Sequence, residues 1–266
     1  MTGFHLSLAV MSANLKGVAL VTGAAQGIGR AIALRLADDG FDVAVNDLSP
    51  NSQVLDALVD EIKQKGRESA VFIADVSEEE QVKEMVEEAV KKLGGLDVMV
   101  ANAGVTGPRL TRLTDLSAEQ WDRVMNINIR GTFLCYKYAG LQMIAQGRGG
   151  RIIGASSVAG KKALATQSAY SASKFANRGL TQAAALEFGP HGITVNAYAP
   201  GAVDTPMLTT GSPNPAALLS TLKEMSPLKR IGTPEDIANL VSFIASKESQ
   251  FITGQSISIN GGLFFD

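Results

Sequence analysis

Val18-Ala19-Leu20-Val21-Thr22-Gly23-Ala24-Ala25-Gln26-Gly27-Ile28-Gly29 is the stretch that decides the fold. Four consecutive apolar residues read as a strand covered on both faces, as inside a parallel sheet. Glycines at 23, 27 and 29 follow directly, and a helix over about 27–38 starts among them. Such a junction needs glycine for the tight turn, for close backbone approach to a pyrophosphate, and for packing of helix on strand. The helix N-terminus offers free N–H groups and the positive end of its dipole to the phosphates. Gly23, Gln26, Gly27, Ile28 and Gly29 are therefore assigned to a dinucleotide. Their placement between strand and helix distinguishes them from chance glycine spacing.

Outward from this loop, short β-branched runs alternate with longer amphipathic ones, the pattern of βαβ units. Strands are expected at 41–46, 70–74, 98–101, 151–155, 194–198 and 256–259, and helices at 52–65, 77–93, 117–146, 167–188 and from 234. The helix over 117–146 is expected to break near 126–131. Ser77 and Glu80 have capping-box spacing and predict the start of the helix over 77–93. The whole predicts a single Rossmann-type, doubly wound domain over 17–266, with a seven-stranded parallel sheet flanked by helices. Residues 200–227 are rich in Gly, Pro, Ser and Thr, with a helical piece near 216–225, and read as a lid over a site. Residues 1–16 read as a flexible N-terminal extension.

Composition narrows the function. A formal charge of −2 gives no electrostatic footprint for nucleic acid or an anionic membrane. The mildly apolar run over 4–10 is too short to span a bilayer and lacks a basic flank. The single cysteine, Cys135, lies in an apolar run and reads as a buried small hydrophobe in a chain suited to a reducing, cytoplasmic setting. His5 and His191 have no clustered ligands, so no metal is expected.

Asp47 ends the second predicted strand, eighteen residues beyond Gly29. An acid at that distance can hydrogen-bond the ribose hydroxyls of NAD, and it would repel the 2′-phosphate of NADP. Gln26 is neutral and Leu48 follows Asp47, so no arginine waits for that phosphate. The expected cofactor is NAD. Tyr170 and Lys174 lie four apart on a predicted helix and share one face. Bringing a phenol from about 10 to about 7 takes roughly 4 kcal/mol of differential interaction, which a neighbouring ammonium and a cationic nicotinamide ring can supply in a dry site.

Taken together, these landmarks resemble the short-chain dehydrogenase/reductase family over 16–262. The loop from Thr22 to Gly29 has the family's T-G-x-x-x-G-x-G form. Asp75-Val76 looks like its adenine-contacting pair, and Asn102-Ala103-Gly104 like its turn after strand four, with Ala101 where a second asparagine is common. Asn128 and Ser157 match its catalytic asparagine and serine, Ser157 standing thirteen residues before Tyr170. Pro200, Gly201, Val203 and Thr205 match the stretch beside the nicotinamide. The resemblance implies hydride transfer between nicotinamide and a carbinol carbon. In it Tyr170 exchanges the hydroxyl proton, Ser157 orients the substrate oxygen, and Lys174 lowers the tyrosine's pKa while holding the ribose. Asn128 would hold a water that links Lys174 to solvent.

Within the family, the stretches over 170–195 and 253–256 look closest to acetoin/diacetyl reductases and 2,3-butanediol dehydrogenases. Val158, Leu164, Met207 and Leu208 instead suggest an apolar pocket for a bulkier secondary or cyclic alcohol, such as a terpenoid. A 3-oxoacyl-carrier-protein-type ketoreductase is a further reading, though such enzymes generally use NADP. A non-catalytic NAD-binding regulator is another. The resemblance also implies a homotetramer, with the helices over 117–146 and 169–188 across one interface and Leu263-Phe264-Phe265 in another.

Overall fold

The apolar runs become seven strands: β1 (Gly17–Thr22), β2 (Phe41–Asp47), β3 (Ser69–Ile73), β4 (Val98–Ala101), β5 (Gly150–Ala155), β6 (Ile193–Pro200) and β7 (Ser256–Ile259). They form one sheet in the order β3-β2-β1-β4-β5-β6-β7, parallel throughout. The order reverses between β1 and β4, and this switch point opens the crevice where doubly wound sheets bind ligands. The structure is a computed structural model that describes residues 16–108 and 110–265. The extension read over 1–16 lies, except for Lys16, outside the described residues.

Helices cover both faces. One face carries α1 (Gly27–Asp38) and α2 (Ser52–Gln64), the other α3 (Glu79–Leu93). Ala19, Val21, Val43, Val45 and Val100 pack with Ile32, Leu36, Leu55 and Ile62 on the first face. Leu20, Ala44 and Met99 pack with Val82, Met85, Val86 and Ala89 on the second. Alternation along each strand sends neighbouring side chains to opposite layers, so consecutive positions such as Val18 to Val21 on β1 and Val98 to Ala101 on β4 are all apolar.

The expected capping of α3 by Ser77 is corrected by the structure. The helix starts at Glu79, after Glu78, and no side chain caps it. Ser77 instead donates its hydroxyl and its amide to Asp75 Oδ1, at 2.7 and 2.9 Å. An aspartate two residues upstream offers a closer acceptor arrangement than the helix turn does, and it captures the serine.

The long helix expected over 117–146 is interrupted as read. Ser117 and Gln120 form a reciprocal capping box at the start of α4 (Ala118–Met125). One π-helical segment, Asn126–Arg130, then leads into α5 (Gly131–Gln146). Later come α6 (Ser168–Phe188), the short α7 (Pro206–Thr209), α8 (Pro215–Met225) and α9 (Pro234–Ala245). The base of the segment over 202–232 is pinned: Gly232 N donates to Ala202 O and Asp204 N donates to Gly232 O, at 3.0 and 2.9 Å. Among the described residues, no helix is long and apolar enough to cross a membrane.

Candidate active site

The glycine loop leaves β1 with its first backbone groups already engaged. Thr22 Oγ1 accepts from the amides of Asn102 and Ala103 at 3.0 and 3.1 Å, and Asn102 Nδ2 donates to the carbonyls of Thr22 and Gly23 at 2.8 and 3.1 Å. Gly23 and Gly27 take left-handed backbone, at φ +64° and +54°. Gly29 is fixed by space: a Cβ there would collide with the Gly23 carbonyl oxygen. No side chain caps α1 at Gln26, so its first-turn amides face the loop unclaimed by a cap. A cradle closed to side chains and lined by amides fits a dinucleotide's pyrophosphate.

Asp47 sits at the end of β2, beside that cradle. Its Oδ2 accepts from Ala25 N at 3.1 Å, and its Oδ1 from Leu48 N and Asn51 Nδ2, each at 2.8 Å. These three donors are neutral, and a carboxylate with three donors keeps acceptor capacity for ribose hydroxyls. Asp75 is held by Ser77, and Val76 is buried against the Cα of Gly131 at the start of α5. Gly201 N donates to Ile259 O at 3.0 Å. A Cβ on Gly27 would lie 3.2 Å from the Thr205 methyl, which places the start of the 200–227 segment over the glycine loop.

At the other end of the crevice, β5 delivers Ser157 and α6 delivers Tyr170 and Lys174. Ser157 is buried, and its Oγ accepts from Ala159 N at 3.1 Å. Lys174 is 5% exposed, lies 5.5 Å from the Tyr170 ring centroid, and donates to the Ala155 carbonyl at 2.7 Å. Burial pushes its ammonium down to about 8. Asn128 is buried in the π segment. Its Oδ1 accepts from Val105 N and its Nδ2 donates to Val105 O, both at 2.8 Å, with a second bond to Ser173 Oγ at 3.0 Å. Ser173 in turn donates to the Tyr170 carbonyl at 2.8 Å. A Cβ on Gly104 would lie 3.2 Å from Asn128 Oδ1 and 3.5 Å from Lys174 Nζ, so both reach one point beside Gly104.

The residues expected to line the substrate are more open. Leu164 is 39% and Met207 43% exposed, and Val158 and Leu208 are half-buried. A cavity of about 190 Å³ is lined by Leu222, Leu228, Ile237, Ile259 and Leu263 among others, and includes none of the four residues matched to catalysis. Cys135 is buried, and burial raises its thiol to about 12, which favours the protonated form over the thiolate. Among the described residues, no cluster of His, Cys, Asp and Glu is placed to hold a metal.

Three participants escaped the sequence reading: the Ala155 carbonyl under Lys174, Ser173 beside Asn128, and Tyr198, whose hydroxyl donates to Asn102 Oδ1 at 2.7 Å. Ser173 lies inside the Tyr170–Lys174 stretch and could have been found from helical spacing. Tyr198 lies in an apolar strand and gave no such signal.

The family described as enoyl-(acyl carrier protein) reductase matches residues 23–264. A short-chain dehydrogenase/reductase of Armillaria gallica is 54% identical over 264 residues, covering 97% of this chain and 100% of that protein. A 3-oxoacyl-[acyl-carrier-protein] reductase of Staphylococcus epidermidis is 44% identical over 246 residues, covering 92% and 98%. The crystal structure of the acetoin dehydrogenase YohF from Salmonella typhimurium superimposes with a TM-score of 0.82 at 35% identity, over 93% of this chain and 96% of that one.

Proposed function

Since the chain belongs to the short-chain dehydrogenase/reductase family, we propose that it interconverts a secondary alcohol and a ketone with NAD(H), on an apolar secondary or cyclic substrate. One observation carries the chemistry: the Lys174 ammonium is buried beneath the Tyr170 ring. A cation held there favours the phenolate and lets Tyr170 give or take a proton near neutral pH. When bound, the nicotinamide supplies or accepts the hydride.

The chain's own residues do the rest. Tyr170 exchanges the proton of the substrate oxygen, and Ser157 hydrogen-bonds that oxygen. Asn128 holds the loop at Val105 against α6 and keeps the turn that carries Tyr170 and Lys174 in place. Asp47 favours NAD because a 2′-phosphate would meet its carboxylate. Val158, Leu164, Met207 and Leu208 offer an apolar lining, with the segment over 200–227 closing as a lid. We place the protein in the cytoplasm, in keeping with its single cysteine, and propose a homotetramer.

A second reading, a 3-oxoacyl-carrier-protein-type ketoreductase, draws on the Staphylococcus relative. An acetoin/diacetyl reductase or butanediol dehydrogenase draws on the Salmonella neighbour. One screen separates them: initial rates with NADH and NADPH against diacetyl, a 3-oxoacyl thioester and bulky cyclic or terpenoid ketones. The expected outcome is preference for NADH and highest kcat/KM on a cyclic ketone, with Tyr170→Phe lowering turnover by roughly a hundredfold or more while NADH still binds. Preference for NADPH with the thioester would replace this reading by the ketoreductase one. NADH binding with no turnover on any ketone would point to a non-catalytic NAD-binding regulator.

A further inference from the structure

Tyr198 joins the two ends of the crevice. It lies on β6, is buried, and pairs in register with Ala155 of β5. Ala155 is small, and its carbonyl is the one that holds Lys174. The backbone of Tyr198 faces the chemical end: its carbonyl accepts from Ser156 N at 2.9 Å, next to Ser157. Its ring faces the other way, within the apolar cluster that holds Ala24 and Ala25 of the glycine loop and Val203 beyond β6. From there the hydroxyl donates to Asn102 Oδ1.

That bond decides how the Asn102 amide is oriented. An amide carries an acceptor at one end and donors at the other, and its two orientations differ only in what they face. Tyr198 is a donor here: burial first, then the charge of the nearby Tyr170, raises its phenol well above the ordinary range and keeps it protonated. A donor at Oδ1 leaves Nδ2 aimed at the carbonyls of Thr22 and Gly23. The flipped amide would set oxygen against two carbonyl oxygens. Those two carbonyls begin the turn that Gly23 completes in left-handed backbone, and the turn directs the following amides to the pyrophosphate.

We propose that Tyr198 is a positioning residue for the dinucleotide: through Asn102 its hydroxyl fixes the phosphate loop relative to β6, the strand that runs into Pro200 and Gly201. The proposal rests on binding of a nicotinamide dinucleotide, a family property, and not on the choice of NAD over NADP or on the substrate. It needs no bound group beyond that.

The test compares Tyr198→Phe with Tyr136→Phe. Tyr136 is the matched control, a buried tyrosine on α5 whose hydroxyl pairs with Thr181 Oγ1 at 3.1 Å, away from the glycine loop. Dissociation constants are read from NADH and NADPH fluorescence titrations, apo Tm from thermal melts, and kcat at saturating dinucleotide. Tyr198→Phe is expected to raise the dinucleotide Kd about fivefold, the scale of one lost hydrogen bond, with kcat at saturation within about twofold of wild type. Tyr136→Phe is expected to lower Tm and leave Kd unchanged. Because the route runs through Asn102, Tyr198→Phe added to Asn102→Ala should change Kd no further than Asn102→Ala alone. A Tyr198→Phe Kd within about twofold of wild type would overturn the proposal, as would an equal rise in Tyr136→Phe or full additivity with Asn102→Ala. Each outcome is independent of which ketone is reduced, so it is told apart from any failure of the substrate reading.

Discussion

The ordinary lysine value of 10.5 drops to about 8 at Lys174 because folding takes the ammonium out of water and sets it against the neutral carbonyl of Ala155. Between those two values the unfolded chain binds a proton that the folded chain does not. By linkage, stability from this group falls as pH is lowered from 10.5 to 8, and stays at its reduced level below 8. A Lys174→Met variant lacks the titration. The unfolding free energy of wild type, relative to that variant, is therefore expected to rise with pH across this window, by up to about 3 kcal/mol. Urea titrations of both proteins without dinucleotide check it. A difference that stays flat, or falls, would mean that the ammonium keeps its hydration in the fold. The same desolvation has a functional side: a lysine near 8 is still mostly charged at neutral pH, yet its field reaches the Tyr170 ring with little water in between to screen it.

At the scale of elements, the junction of β1 and α1 is set by excluded space at Gly29 as well as by left-handed backbone at Gly23 and Gly27, and that of α2 and β3 by backbone conformation alone. Gly29→Ala forces a methyl into the Gly23 carbonyl and the Asn102 amide, while a methyl at Gly66 would meet nothing within 4 Å and only the φ of +78° resists substitution. Gly66→Ala should cost about 1 kcal/mol, the price of left-handed backbone. Gly29→Ala should cost about 2–3 kcal/mol and raise the dinucleotide Kd by at least tenfold, since the loop and its Asn102 support must both move. Denaturant melts and titrations of the two variants check this, and equal losses would show that space at Gly29 is not limiting. The contrast also explains what was legible in the sequence. Strand β4, an apolar run, and strand β7, an alternation of serine and isoleucine ahead of Asn260-Gly261-Gly262, were readable to the residue, because such local patterns need no tertiary information. The break at 126–131 was visible, but not its π-helical form, which goes with an Asn128 side chain pinned to Val105, 23 residues away. Ser77 satisfied a local capping rule and lost to Asp75. Tyr198 finds its partner 96 residues away, across β5, and no local pattern could carry that.

For the molecule as a whole, part of the apolar surface left open among the described residues falls on the paired helices α5 and α6 and part near the β7 edge of the sheet. On α6, Leu186 is 82% exposed and Phe175 is half-exposed, and three helical turns put them on one face; Phe133 and Leu141 are similarly open on α5. At the sheet edge, every residue of β7 is only half-buried, and Phe251 and Phe265, in the segments just before and after it, are exposed, as is Phe243 on α9. An uncovered edge strand beside aromatic residues is a surface that stable proteins cover. Two separate patches suit two interfaces, and two different twofold contacts generate a tetramer, whereas one alone stops at a dimer. The inner face of α6 carries Lys174 and Ser173, so a copy packed on the outer face would also stiffen the catalytic helix. Light scattering should therefore give about four times the 27.9 kDa chain mass. Leu141→Asp with Leu186→Asp should break one contact, halve that mass and lower Tm, while Phe251→Asp should act at the other patch. A wild-type chain that scatters as a 27.9 kDa monomer would leave both patches without this explanation.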